Sequence, residues 1–365
     1  MKNLTSKIKL FDPSISSKEE LAVKQVLHSH FWASGSGAGK VKEFEDKFVS
    51  YTGSKSCVAV SNGTAALHLA LSLFDIKGKE VILPSLSFVS TAHAVIYNGG
   101  IPKFVDVDPK TLCLDPSEID NAITKKTKVV LPVHFAGTSC NLEKIKHICS
   151  KNNLALVEDA AHAAGTTYKN KKIGSHGNPV CFSFHPVKNL AMPTGGAITL
   201  NNQEAKKFET VLKSRRWCGI ANRKGTRYDI SNLGWNYYMN EFSAAIGIEQ
   251  LKKLDKLNSK RQRNAKRLSK NISLDEKMPF DKNSSYHFYW ILVKNRDAFM
   301  KKMLEHGIET GIHYLPIHKM KYYNSKTKLA HTEKITKEIV SLPCHPNLAE
   351  NDIEKIISLT NKFSK

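Results

Sequence analysis

The 365-residue chain has no run approaching the ~18 apolar residues that a membrane-spanning helix requires. No apolar segment follows Met1-Lys2-Asn3-Leu4-Thr5-Ser6-Lys7, so a signal peptide is not expected and a cytoplasmic location is. Cysteine is sparse. The 7 residues are odd in number, scattered, and include no CxxC pair. This argues against a disulfide framework and against a zinc site, and it fits a reducing compartment. Acidic residues are also short, 33 against 55 Lys and Arg, which leaves a formal charge of +22. Such an excess raises nucleic-acid or membrane-surface binding as a possibility. The lysines are spread over the whole chain, however, and the densest stretch, Lys252 to Lys270, has few aromatics to stack on bases. Neither nucleic acid nor membrane is expected as a partner. A basic surface does suit a small anionic substrate such as a nucleotide sugar. Internal repeats and low-complexity segments are lacking as well.

What the chain does have is a 41% hydrophobic fraction, ample for a buried core, and a strand–helix rhythm. Ser16-Ser17-Lys18-Glu19-Glu20 caps a first helix whose apolar face is read as Leu21, Val23, Val26 and Leu27. Gly35-Ser36-Gly37-Ala38-Gly39-Lys40 resembles a P-loop, but Ser34 replaces the first glycine and Val41 the magnesium-binding hydroxyl. It is read as a flexible loop before a helix around Phe44 and Phe48. From Cys57 onward, short apolar strands alternate with helices: Cys57 to Val60, Val81 to Pro84, Lys103 to Val107, Val129 to Phe135 and Leu154 to Glu158. This pattern predicts an α/β fold with a large, mostly parallel sheet covered by helices on both faces. The sheet domain is expected over 1–245. A linking helix, Glu241 to about Asn271, then leads into a smaller C-terminal α+β domain, the second unit spanning 246–365.

The chemistry concentrates at predicted strand ends, where open α/β sheets bind ligands. Cys181-Phe182-Ser183-Phe184-His185-Pro186-Val187-Lys188 is an apolar run ending in polar residues, followed by Gly195-Gly196 and a second apolar run. It predicts strand, turn, strand, with Lys188 on the turn. Leu156-Val157-Glu158-Asp159-Ala160-Ala161-His162 is another strand ending in carboxylates. Asn62-Gly63-Thr64 opens a helix whose free N–H groups attract an anion. A lysine able to form an imine, a carboxylate able to keep a pyridine nitrogen protonated and an anion cradle are the needs of a pyridoxal phosphate (PLP) enzyme. Taken singly, Lys188 reads as a surface charge, Asp159 as a helix cap and His162 as a core histidine. Their convergence on strand ends carries the argument.

The sets Ser61-Asn62-Gly63-Thr64-Ala65-Ala66-Leu67, Glu158-Asp159-Ala160-Ala161-His162 and Ser183-Phe184-His185-Pro186-Val187-Lys188 resemble the DegT/StrS-type sugar aminotransferases, fold-type-I PLP enzymes. Phe104-Val105-Asp106-Val107-Asp108, Pro132-Val133-His134, Ala244-Ala245-Ile246-Gly247, His313-Tyr314-Leu315-Pro316-Ile317-His318 and Ser341-Leu342-Pro343 extend the resemblance from Phe11 to about Phe363. It implies Lys188 as the imine-forming lysine and Asp159 on the pyridine nitrogen. His162, where many members have Gln, would contact the ring oxygen, and Phe88 would lie against the ring. Gly63, Thr64 and Ser183 would hold the phosphate, joined by Asn236 of a second subunit in a homodimer with shared sites. His185, His313 and Tyr314 are candidates for substrate contact. No metal is implied. The implied reaction moves an amino group, from L-glutamate, to a keto-sugar on a nucleoside diphosphate. A cyclitol ketone or other non-nucleotide ketone is the alternative substrate, and a non-catalytic PLP-binding regulator the alternative role. Two departures stand out. Ala191-Met192-Pro193-Thr194-Gly195-Gly196 replaces the family's Gly-Glu-Gly-Gly loop, and Tyr238 stands where many members carry Arg. Lys188 itself argues against the branch that carries histidine there and acts as a dehydratase.

Overall fold

Alternation along short apolar strands decides the architecture of the computed structural model, which describes residues 7–177 and 179–364. Within the first strand, Cys57 and Ala59 enter one hydrophobic cluster and Val58 and Val60 enter another. The next strand sends Ile82 to the first cluster, Val81 and Leu83 to the second. Successive side chains point to opposite faces of a strand, so both faces of this sheet are buried.

The strands are β1 (Ser56–Val60), β2 (Glu80–Pro84), β3 (Ile101–Val105), β4 (Thr127–Val130), β5 (Ala155–Leu156), β6 (Glu158–Asp159), a small hairpin β7 (Thr167–Tyr168) and β8 (Lys171–Lys172), β9 (Val180–Ser183) and β10 (Gly196–Leu200). Hydrogen bonding gives the orders β3-β2-β4-β5 and β1-β10-β9-β6. The two sets join where the chain passes from β5 to β6. There the Asp159 N–H donates to the Pro132 carbonyl (2.9 Å) and the His134 N–H to the Asp159 carbonyl (3.0 Å). Within these two sets only β10 runs antiparallel to its neighbours. The expected mostly parallel sheet is thus present, though β3 starts two residues earlier than the sequence suggests and β4 ends at Val130, beyond which Val133 makes only an isolated bridge.

Helices α1 (Ser17–Ser29), α2 (Lys40–Thr52), α3 (Gly63–Leu71), α4 (Ser90–Tyr97), α5 (Pro116–Ala122), α6 (Leu142–Lys151) and α7 (Ala205–Arg215) surround the sheet. Ser16 caps α1 in a capping box with Glu19. The expected apolar face of α1 is a misreading, because Leu21 and Leu27 are 56% and 47% exposed and only Val26 is buried. The inward face instead carries Glu19 and, seven residues on, Val26. Glu19 accepts from the Gln250 amide at 2.8 Å. Leu21 lies two residues from Glu19 and so about 200° round the helix.

A hairpin, β11 (Ile220–Lys224) and β12 (Arg227–Ile230), leads to the long helix α8 (Glu241–Asn271), which Asn240 caps through the Ser243 N–H. After it come β13 (Tyr289–Leu292), α9 (Arg296–Glu305), α10 (Ala330–Glu338), β14 (Ile339–Leu342) and α11 (Glu350–Phe363), with β13 and β14 antiparallel. One core runs from Phe44, Phe48 and Phe182 through Phe135 to Phe288. Each buried ring contributes roughly 2 kcal/mol. This continuity ties the C-terminal elements to the sheet edge that carries the polar residues.

Candidate active site

Parallel strands that point the same way end on the same edge, and the chain leaves that edge five times into one cavity of about 320 Å³. The segment after β1 brings Gly63 and Thr64, the segment after β2 brings Ser87 and Phe88, and the end of β6 brings Asp159. Val133 enters after β4, while Ser183 ends β9 and leads to Lys188. His162, His185, His313 and Tyr314 complete the wall. Ten of the eleven residues expected in the site therefore meet. Asn236 is the exception: it lies exposed on this protomer, away from the cavity.

Gly63 and Thr64 are the first residues of α3, so their N–H groups have no intrahelical acceptor. Asn62 caps the helix by accepting from the Ala65 N–H at 2.9 Å. The Thr64 and Ser90 hydroxyls are 2.7 Å apart. A Cβ at position 63 would sit 2.7 Å from the Ser183 Cβ, so only glycine lets the helix start approach the end of β9 this closely. The result is an anion cradle of N–H and O–H donors at a positive dipole end.

Across the cavity Asp159 is buried, 4% exposed. It accepts from the Thr91 hydroxyl (2.9 Å) and the Ala161 N–H (3.1 Å), and Ser87 donates onward to Thr91 at 2.7 Å. Burial raises the carboxyl pKa; the two hydrogen bonds and the Lys188 charge oppose the rise. Among the described residues no cation forms an ion pair with Asp159, so the buried carboxylate is ready for a cationic ligand atom.

Lys188 has its pKa pushed down to about 8 by burial, with Asp159 pulling the other way. An amine so placed is partly neutral, hence nucleophilic, near physiological pH. The imidazoles around it stay uncharged. Burial, with Lys188 and His313 nearby, holds His162 well below the ordinary imidazole range, and His313 is pushed to about 4. The Ala136 N–H donates to His162 Nδ1 (3.3 Å), so Nε2 carries the proton and donates to the Tyr314 hydroxyl at 3.0 Å. His162 thus meets Tyr314 first. Phe88 is 56% exposed and tilts its ring toward Tyr314, 5.9 Å between centroids.

The unusual loop after Lys188 is tied to this machinery. The Phe184 N–H donates to the Gly195 carbonyl (2.8 Å), and the Thr194 hydroxyl to the Ser61 carbonyl (2.5 Å), one residue before the helix cap. Proline at 193 lies exposed, where its missing N–H costs nothing.

Five residues escape a reading of the sequence. Ser87, Ser90 and Thr91 follow the end of β2, and their clustering of hydroxyls after a strand is a usable signal. His287, whose Nε2 lies 3.4 Å from Lys188 Nζ, sits inside an apolar run and gives no signal beyond its polarity there. Phe11 stacks on His287, a contact between residues 276 positions apart that no local pattern encodes.

An anion cradle, a buried carboxylate and a depressed lysine around one cavity of an α/β sheet fit a pyridine ring carrying an aldehyde and a phosphate. That is the donor set of a PLP enzyme. Comparison with known proteins places the chain further. Residues 13–360 match the DegT/DnrJ/EryC1/StrS aminotransferase family, and the chain belongs to it. It is a PLP-dependent aminotransferase. The spore coat polysaccharide biosynthesis protein SpsC of Bacillus subtilis is 33% identical over 97% of this chain and 96% of its own. Among solved structures, Streptococcus pneumoniae Spr1654 in its PMP form superposes with a TM-score of 0.93 at 25% identity, covering 98% of each chain. Helicobacter pylori PseC, an aminotransferase of pseudoaminic acid biosynthesis, gives 0.91 at 27% identity over 98% of this chain and 99% of its own. Among the described residues no helix is long and apolar enough to cross a membrane, and no group of three or more His, Cys, Asp or Glu is placed to hold a metal.

Proposed function

We propose that this aminotransferase moves an amino group from L-glutamate to a keto-sugar carried on a nucleoside diphosphate, in the making of amino sugars for surface glycans. The convergence of Lys188, Asp159 and the start of α3 on one cavity carries the catalytic part of this reading. The sugar part rests on likeness to SpsC, a polysaccharide biosynthesis protein, and to PseC. A formal charge of +22 adds a favourable field for an anionic substrate.

When bound, PLP supplies an electron sink for the carbon that loses its proton. The chain's own residues do the rest. Gly63, Thr64 and Ser183 would hold the phosphate with N–H and O–H donors. Asp159, steadied by Thr91 and Ala161, would set a negative charge against the ring nitrogen. Phe88 would lie against the ring and limit water. The Lys188 amine, near its midpoint at physiological pH, takes a proton at Nζ and returns it to a neighbouring atom. Tyr314, held by His162, would present its hydroxyl toward the ring oxygen, and His185 and His313 would line the approach of the substrates. Asn236 reaches the phosphate of a partner protomer, so the working unit is a homodimer in the cytoplasm.

The reading is tested by offering the PMP-loaded enzyme a panel of nucleotide-linked keto-sugars and of cyclitol ketones, and following loss of the PMP absorbance. Amination of a nucleotide keto-sugar alone supports it. Turnover of cyclitol ketones alone would reassign the substrate, and no half-reaction with any amino donor would point to a regulator.

A further inference from the structure

Among the described residues the Lys188 amine has one hydrogen-bond partner, a histidine that the reaction described above does not use. His287 Nε2 lies 3.4 Å from Lys188 Nζ. The imidazole is 1% exposed and is held by ring contacts, stacked on Phe11 at 5.0 Å and tilted against His162 at 4.6 Å. Its Nδ1 is buried with no hydrogen-bond partner among the described residues. Among the described residues the contact with Lys188 is therefore the ring's only polar one. Leaving a buried ring nitrogen unpaired is costly, and a ring kept only for packing would be better replaced by phenylalanine.

Burial chiefly, with the positive charges of Lys188 and Arg261 nearby, holds His287 well below the ordinary imidazole range. Arg261 is itself buried and directs a guanidinium N–H to the carbonyls of Tyr286 (3.5 Å) and His287 (3.4 Å). His287 thus stays neutral and keeps a lone pair. Both the ammonium and the free amine of Lys188 have N–H bonds to give, so Nε2 can accept in either state.

We propose that His287 is a positioning residue for Lys188: it accepts a hydrogen bond from the free amine and so aims the remaining lone pair of Nζ into the cavity. The inference rests on Lys188 being the cofactor lysine. Around Nζ the other groups that titrate or carry charge are Asp159, His162, His185, His313 and Tyr314, none of which makes this contact.

Two substitutions separate hydrogen bonding from packing. His287→Phe keeps an aromatic ring between Phe11 and His162 but offers no acceptor. His287→Gln keeps an acceptor and loses the stack. In the cofactor-free protein, the pH dependence of acylation at Lys188, followed by peptide mass spectrometry, reports the amine directly. The Phe variant should move the half-labelling pH down by roughly one unit, because the ammonium loses its acceptor, while the Gln variant stays near wild type. In the loaded enzyme kcat should fall by about tenfold or more in the Phe variant with KM little changed, and recover in the Gln variant. Equal behaviour of the Phe variant and wild type in the labelling, or equal loss in both variants, overturns the proposal. If the Phe variant does not fold, nitrogen NMR of wild-type His287 decides: an unprotonated Nε2 supports the acceptor role and a protonated Nε2 overturns it. Failure of the parent reading looks different, since the cofactor would then be found on a residue other than Lys188 while the labelling of Lys188 still reports on His287.

Discussion

At the scale of single residues, this site is built from unfavourable burial turned to use. Lys188 would titrate near 10.5 in an open chain and is held at about 8 here, chiefly by burial. Between those values the unfolded chain binds more protons than the native one, so stability from this group rises with pH across that window. Below about pH 8 the buried ammonium is a full liability. Cofactor-free Lys188→Met should therefore gain most over wild type in urea unfolding at pH 7 and least near pH 10.5. A constant difference across that range would contradict the assigned shift. Asp159 carries the complementary role. Asp159→Asn keeps the shape and the Thr91 contact but removes the charge, and activity should fall on the order of 10²-fold or more with the fold intact, as steady-state kinetics and circular dichroism would show.

At the scale of elements, the sheet edge is what makes distant residues one site. Gly63→Ala would press a methyl against Ser183 and push the start of α3 from the end of β9. Overpacking of this kind costs about 1–3 kcal/mol, so PLP affinity should drop by roughly tenfold or more in equilibrium titration, with reduced stability. Most of this frame was legible in the sequence. Apolar runs ending in polar clusters marked β6 and β9, and Asn62-Gly63-Thr64 marked a helix start, because strand burial and helix capping are local physics. The α8 boundaries were legible from long helical periodicity, and the structure adds the Asn240 cap. Positions set by packing between distant segments were not. Leu21 and Leu27 fit a helical apolar stripe yet face outward, since α1 meets α8 through Glu19 and Gln250. His287 and Phe11 come to Lys188 only through the tertiary fold. The Ala191 to Thr194 loop departs from the family's pattern, and its Thr194 hydroxyl fastens it to Ser61 beside the cradle.

At the scale of the whole molecule, the protomer leaves a surface that suits a second copy. Leu233 is 80% exposed, and Tyr228 and Ile230 are 57% and 53% exposed, close in sequence to Asn236. Exposed apolar side chains of this kind are what the proposed homodimer would cover. If Asn236 serves the partner's phosphate site, two inactive variants should rescue each other. Mixing Lys188→Ala with Asn236→Ala leaves one native site in each mixed dimer. Random pairing then restores roughly a quarter of wild-type activity, as expected for a two-fold assembly. No recovery after subunit exchange would place Asn236 outside the site.

In the proposed reaction Lys188 carries the cofactor on which the amino group travels. Borohydride reduction of the PLP-loaded protein, followed by digestion and mass spectrometry, is the sharpest check. A single phosphopyridoxyl label is expected on the peptide containing Lys188, and none in Lys188→Ala. A label on another lysine, or an unlabelled Lys188 in protein that has bound PLP, would contradict it.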